Sequence, residues 1–114
     1  MTLEALQERI RAFNAERDWG RYHCPRNLAM ALSVEANELL ELYLWSEDEG
    51  PQPAVPSREP RVAEELADVL ILLLNLADKH DIDLLAAADA KLDANALKYP
   101  ADKVSGRMQK YDEY

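Results

Sequence analysis

The sequence predicts an all-α protein, a four-helix bundle completed by homo-oligomerisation, and three observations carry that expectation. Leu, Ala and Glu dominate a chain of 114 residues that is 48% hydrophobic yet has only three glycines, a composition that suits helices better than sheets. Apolar residues recur at three- and four-residue spacings, the period of a helix with one buried face. β-branched residues, which favour strands, are scarce. A chain of this length forms one domain with a real core. That domain is expected over residues 1–100, with a polar tail at 101–114.

The elements follow in order. Leu3, Leu6, Ile10 and Phe13 repeat at helical spacing after Thr2, an N-cap residue type, so a first helix is expected to about Asp18, ended by Trp19-Gly20. Cys24 opens a second helix with Pro25 in its first turn, and the periodicity of Leu28, Leu32, Leu39 and Leu42 carries it to Trp45. The segment Ser46 to Ser57 packs three prolines, a glycine and three acids into twelve residues and reads as a loop. Ser57 can cap a third helix that tolerates Pro60 in its first turn and runs to about Lys79. Asp83 can cap a fourth from Leu84 to about Lys98, stopped before Pro100.

The third helix is apolar on nearly every side from Val69 to Ala77, more than three neighbours from one small chain can cover. A homodimer or homotetramer would bury the excess, with Leu73 and Leu74 expected at the contact between subunits.

Four acids stand where such helices would place leucine. A helix advances about 100° per residue, so Leu28, Leu32, Leu39 and Leu42 fall within roughly 60° of Glu35, with Glu38 about 60° to the other side. In the third helix Val62, Val69, Leu72 and Leu76 bracket Glu65 in the same way, and Asp68 repeats the offset of Glu38. Two pairs of carboxylates, E-x-x-E and E-x-x-D, therefore ride on apolar stripes facing a helix interface. Burying like charges costs several kcal/mol each unless a cation neutralises them. With oxygen ligands alone, and no neighbouring histidine or cysteine, the metal expected is Mg²⁺, with Mn²⁺ as a substitute. A solvated acidic face would explain one such pair; it does not explain two centred on leucine stripes.

The formal net charge of −9 argues against nucleic acid as a partner, because phosphate contacts need clustered Lys and Arg. A small polyphosphate remains compatible, since bound metal bridges it to carboxylates. The longest apolar run, Val69 to Leu74, is too short to span a membrane, and the N-terminus lacks the layout of a signal peptide. With one cysteine, Cys24, which cannot form an internal disulfide, the expected location is the cytoplasm.

Further site candidates are fewer. Lys91, Asn95 and Lys98 line one face of the fourth helix, a row of donors suited to phosphate or a base edge, against the plainer reading of a solvated face. Trp19 and Trp45, at helix ends, are core plugs or the aromatic walls of a base pocket. Arg26-Asn27 could cap the second helix or meet an anion there, and His23 reads as a surface residue.

The strings DWGRYHCPRNLAMALSVEANELLELYLW, EELADVLILLLNLAD and KLDANALKYP resemble, over nearly the whole chain, the MazG-like all-α nucleotide pyrophosphohydrolases, and most closely their dCTP pyrophosphatase branch. The match centres on Glu35, Glu38, Glu65 and Asp68, followed by K-x-x-x-N as Lys91 and Asn95; Ser105-Gly106 and Lys110-Tyr111 add short similarities.

The resemblance implies Mg²⁺-dependent hydrolysis of a deoxynucleoside triphosphate, dCTP or a modified dCTP, to the monophosphate and pyrophosphate, in nucleotide-pool control or sanitation. It also implies a homo-oligomer. It assigns metal to the four acids, the base to Trp19, Trp45 and Asn95, and phosphate to Lys91 and Lys98. Glu35 or Glu38, left partly free of metal, would take the proton of the attacking water. The chain departs from the pattern at Lys98, where the family often has arginine, and at Leu72, where the branch tends to have tyrosine.

A ferritin-like di-metal bundle would need histidine at E-x-x-H spacing, which neither acid pair has. The remaining alternative is a catalytically silent helical interaction protein on the same fold, separable by pyrophosphate release with and without Mg²⁺.

Overall fold

The computed structural model describes residues 1–44 and 59–106. Trp45, the expected loop from Ser46 to Ser57 with its Ser57 cap, and Lys110-Tyr111 lie outside the described residues. Among the described residues the regular structure is entirely helical: α1 (Leu3–Glu16), a 3₁₀ turn (Trp19–Tyr22), α2 (Pro25–Glu41), α3 (Glu59–Lys79), α4 (Leu84–Lys98) and a short α5 (Ala101–Val104).

Local chemistry accounts for most boundaries. The Thr2 hydroxyl accepts from the Ala5 amide at 3.1 Å and starts α1; the Asp83 carboxylate does the same for Ala86 at 3.0 Å and starts α4, each satisfying an otherwise orphaned helical N–H. Pro25 is the first residue of α2 and Pro60 the second of α3, positions where a missing N–H costs nothing. The helix expected to reach Trp45 stops at Glu41, with Leu42 to Leu44 in a tightened turn whose amides bond three residues back. A second departure follows α1. Asp18 takes a left-handed conformation (φ 52°), which aspartate tolerates through its short polar side chain. The chain then coils through Trp19–Tyr22 instead of simply ending. Asp18 and Arg21 pair across this turn at 2.8 Å, and Asn27 donates to the Tyr22 carbonyl at 3.0 Å, tying the turn to α2.

The described residues divide into two compact units, one spanning Met1–Asp81 and one beginning at Ile82. In the first, α2 packs along α3, α1 also lies against α3, and the 3₁₀ turn folds back onto α1. Its core is small: Ile10 from α1, Leu28 from α2, and Val62, Leu74 and Ala77 from α3. Leu74, expected at a subunit contact, is only 1% exposed within the single chain. A helix apolar all round gives no period from which to read which face its own neighbours cover. Leu73 does remain at the surface, as do Leu66, Leu70 and Ile71. In the second unit nothing on α4 is fully buried, and Leu85, Leu92 and Leu97 are largely exposed. No described helix is long and apolar enough to cross a membrane.

Candidate active site

Because α2 and α3 pack along one another, the carboxylates placed on their apolar stripes meet. Oxygens of Glu35, Glu38 and Glu65 all lie within 4.8 Å of one another. Glu35 and Glu65 are half-buried, Glu38 is at the surface, and one oxygen of each half-buried acid, Glu35 Oε2 and Glu65 Oε2, is enclosed with no hydrogen-bond partner among the described residues. Asp68 stands outside this tight group. Its carboxylate nevertheless acts on Glu35 through its charge and faces the same cavity. Burial, then the neighbouring Glu38, with Asp68 and Glu65 adding to it, pushes Glu35 up to about 7. Crowding of like charges in a half-buried place thus favours the protonated form of Glu35, the same charge relief that a cation would supply.

The donor set fits a divalent ion. Two oxygens on one octahedral Mg²⁺, bound at about 2.1 Å, are about 3.0 Å apart when adjacent and about 4.2 Å when opposite, so the three carboxylates would draw together to share an ion. An enclosed oxygen with no donor facing it is a costly arrangement that a hard cation relieves.

A cavity of about 560 Å³ opens beside Glu35 and Asp68 and runs between α1, α2 and α3. Its far end is aromatic. Trp19 meets Phe13 edge-on at 5.5 Å and His23 at 6.3 Å, so the 3₁₀ turn that ends α1 also sets Trp19 as a wall of the cavity. There Asn14 Nδ2 donates to Asn75 Oδ1 at 2.9 Å; Arg9 also lines the cavity.

The other expected residues are placed as follows. Lys91 and Lys98 are exposed and Asn95 half-buried on α4, in the second unit, at the spacing of one helix face. Trp45 lies outside the described residues. Sequence reasoning missed Asn14, Asn75 and His23 as lining residues. Asn75 carried the same signal as the acids, a polar side chain interrupting the apolar run ILLLNLA, and is 8% exposed. His23 gave no such signal, because its role depends on the turn before it.

Residues 30–114 match the MazG-like family. Human (Homo sapiens) dCTP pyrophosphatase 1 is 43% identical over 98% of this chain and 67% of its own length. The chain belongs to the MazG-like family. The mouse (Mus musculus) dCTP pyrophosphatase 1 is 42% identical to this MazG-like chain over the same shares of both. A crystal structure of a pyrophosphatase from Archaeoglobus fulgidus DSM 4304 superposes with a TM-score of 0.77 at 38% identity, covering 86% of this chain and 92% of that one.

Proposed function

We propose that the protein is a nucleotide pyrophosphohydrolase that cleaves a deoxynucleoside triphosphate, dCTP or a modified dCTP, to the monophosphate and pyrophosphate. The observation that carries this reading is the meeting of Glu35, Glu38 and Glu65 around two enclosed, unpartnered oxygens, at the mouth of an aromatic-ended cavity. The similarity to dCTP pyrophosphatases supports the substrate class.

Glu35, Glu38, Glu65 and Asp68 would hold the metal, the first three forming the tightest group and Asp68 acting on Glu35 from beside them. Mg²⁺, or Mn²⁺ in its place, supplies charge neutralisation at the phosphates and a more acidic water. The chain's residues do the rest. A carboxylate oxygen of Glu35 or Glu38 accepts the proton of the attacking water, and the water oxygen joins phosphorus as the α–β anhydride opens and pyrophosphate leaves. Trp19 and Phe13 give the base an apolar wall; the family resemblance assigns phosphate to Lys91 and Lys98 and the base to Asn95. Trp45 is assigned to the same base site.

The exposed leucines of α3 and α4 support a homodimer or homotetramer, working on the cytoplasmic nucleotide pool. The deciding experiment measures pyrophosphate release from each common dNTP and from modified dCTPs, with Mg²⁺ or Mn²⁺ and with a chelator. Metal-dependent release from dCTP is expected. Absence of release from every dNTP at millimolar metal would leave the silent interaction protein as the better reading.

A further inference from the structure

The Asn14–Asn75 couple has no part in holding metal, and its placement is specific. Asn75 is the buried polar residue among the described core, and its amide group makes one hydrogen bond there, accepting from Asn14. A primary amide carries two donors and an acceptor with two lone pairs. Joining two amides through a single bond therefore leaves one carbonyl, of Asn14, and one NH₂ group, of Asn75, for something else. Swapping the O and N ends of both amides keeps the count: one acceptor, one donor. Asn75 Nδ2 is not among the enclosed, unpartnered atoms, so it reaches open space.

Both residues line two cavities and form the partition between them. The second cavity shares His23 with the first and is otherwise walled by Arg11, Asp18, Asp78, Lys79 and Asp81, without Phe13 or Trp19. The first carries Phe13, Trp19 and His23 at this end and the carboxylates at the other. From Asp68 to Asn75 is seven residues of α3, about 10 Å at 1.5 Å per residue, close to the reach of a nucleoside from its α-phosphate to the far edge of its base.

We propose that Asn14 and Asn75 read the Watson–Crick edge of cytosine, the Asn14 carbonyl accepting from the exocyclic amino group and the Asn75 NH₂ donating to the ring nitrogen beside it. The inference rests on the nucleotide pyrophosphohydrolase reading and names the residues that choose the base. Uracil and thymine present the reverse order, a carbonyl beside an N–H. For them the couple must turn both amides over together, so discrimination comes from whichever arrangement the surrounding packing of Asn75 favours.

The test is the ratio of kcat/KM for dCTP to that for dUTP in the parent, in Asn75→Asp and in Asn14→Ala. Asn75→Asp keeps an oxygen to accept from Asn14 and replaces the donating NH₂ with an acceptor that opposes the cytosine ring nitrogen. The ratio is expected to fall roughly 10- to 100-fold in Asn75→Asp, and by less in Asn14→Ala, as for loss of one arm of a bidentate base contact. Because it is a ratio on one preparation, partial unfolding cancels. If Asn75→Asp does not fold, Asn14→Ala, at a half-buried position, decides the matter. Hydrolysis of dCTP with a ratio unchanged in every soluble variant overturns the couple's role alone. A parent that hydrolyses no dNTP overturns the functional reading and this inference with it.

Discussion

Arg11 on α1 grips Asp78 on α3 with two parallel hydrogen bonds, Nε to Oδ2 at 2.9 Å and a terminal guanidinium nitrogen to Oδ1 at 2.8 Å. The two residues are 67 positions apart in sequence, and the contact fixes the helix that carries Phe13 and Asn14 against the helix that carries Asp68 and Asn75. A forked pair of this geometry holds orientation better than a single point contact. Arg11→Ala should therefore lower Tm modestly and raise KM for the nucleotide more than it lowers kcat, since no acid of the cluster moves with α1. An unchanged KM in steady-state kinetics would show that the pair does not shape the cavity.

Removing an acid from the cluster separates folding from turnover. Glu65→Gln or Glu38→Ala should reduce kcat at least 100-fold, the scale of losing a group that stabilises developing charge (roughly 10²–10³). The same changes should leave the metal-free Tm unchanged or higher, because like charges no longer face one another. Mg²⁺ should raise the parent's Tm by mass action on the native state, and Glu65→Gln should abolish that rise. Asp68→Asn, outside the tight group, should only reduce it. Near-normal turnover of Glu65→Gln in saturating Mg²⁺ would remove the metal assignment.

The pH dependence of stability has a definite sign. A glutamate in an unfolded chain titrates near about 4.3, whereas Glu35 in the folded chain keeps its proton up to about 7. Stability from that proton is complete below the unfolded value and is lost as pH rises through the folded one. The metal-free protein should thus melt at lower temperature at about pH 8 than at about pH 5, and Glu35→Gln should flatten that change. The Mg²⁺-induced rise in Tm should grow over the same window, since the ion takes deprotonated carboxylates. A calorimetric series at fixed ionic strength checks both slopes, and a parent that gains stability with pH in the presence of chelator contradicts them.

Two leucines distinguish packing within the chain from packing between chains. Leu74 is enclosed in the subunit, so Leu74→Glu should unfold it, at a cost of several kcal/mol for a buried charge. Leu92 is 67% exposed, so Leu92→Glu should spare the subunit fold and shift the sedimentation coefficient towards a monomer. A parent that already sediments as a monomer at micromolar concentration would end the oligomer proposal.

Most of the helical frame was legible because its signals are local. Thr2 and Asp83 cap as their side chains dictate, Pro25 and Pro60 sit where a missing N–H is harmless, and α3 and α4 end at Lys79 and Lys98 as expected. Glu35, Glu38 and Glu65 could be brought together from periodicity alone, since a charge on a leucine stripe must meet something across a helix interface. The 3₁₀ turn was not legible: it depends on a left-handed Asp18 and on Asn27 holding the Tyr22 carbonyl, and neither follows from spacing. Arg11 with Asp78 and Asn14 with Asn75 were beyond reach for a related reason. Each is a side-chain contact between segments more than sixty residues apart, determined only once α1 has docked.

That docking divides the labour of the molecule. Every carboxylate of the cluster comes from α2 or α3, whereas α1 and the turn after it contribute Phe13, Asn14 and Trp19 to the opposite end of the cavity. The two contributions meet on α3, which bears both Glu65 of the cluster and Asn75, the partner of Asn14. Substitutions within the first twenty-odd residues would thus alter the aromatic wall and Asn14 while every acid of the cluster is inherited intact, so on the proposed reading divergence at the N-terminus between relatives is one place where changes of substrate should be sought.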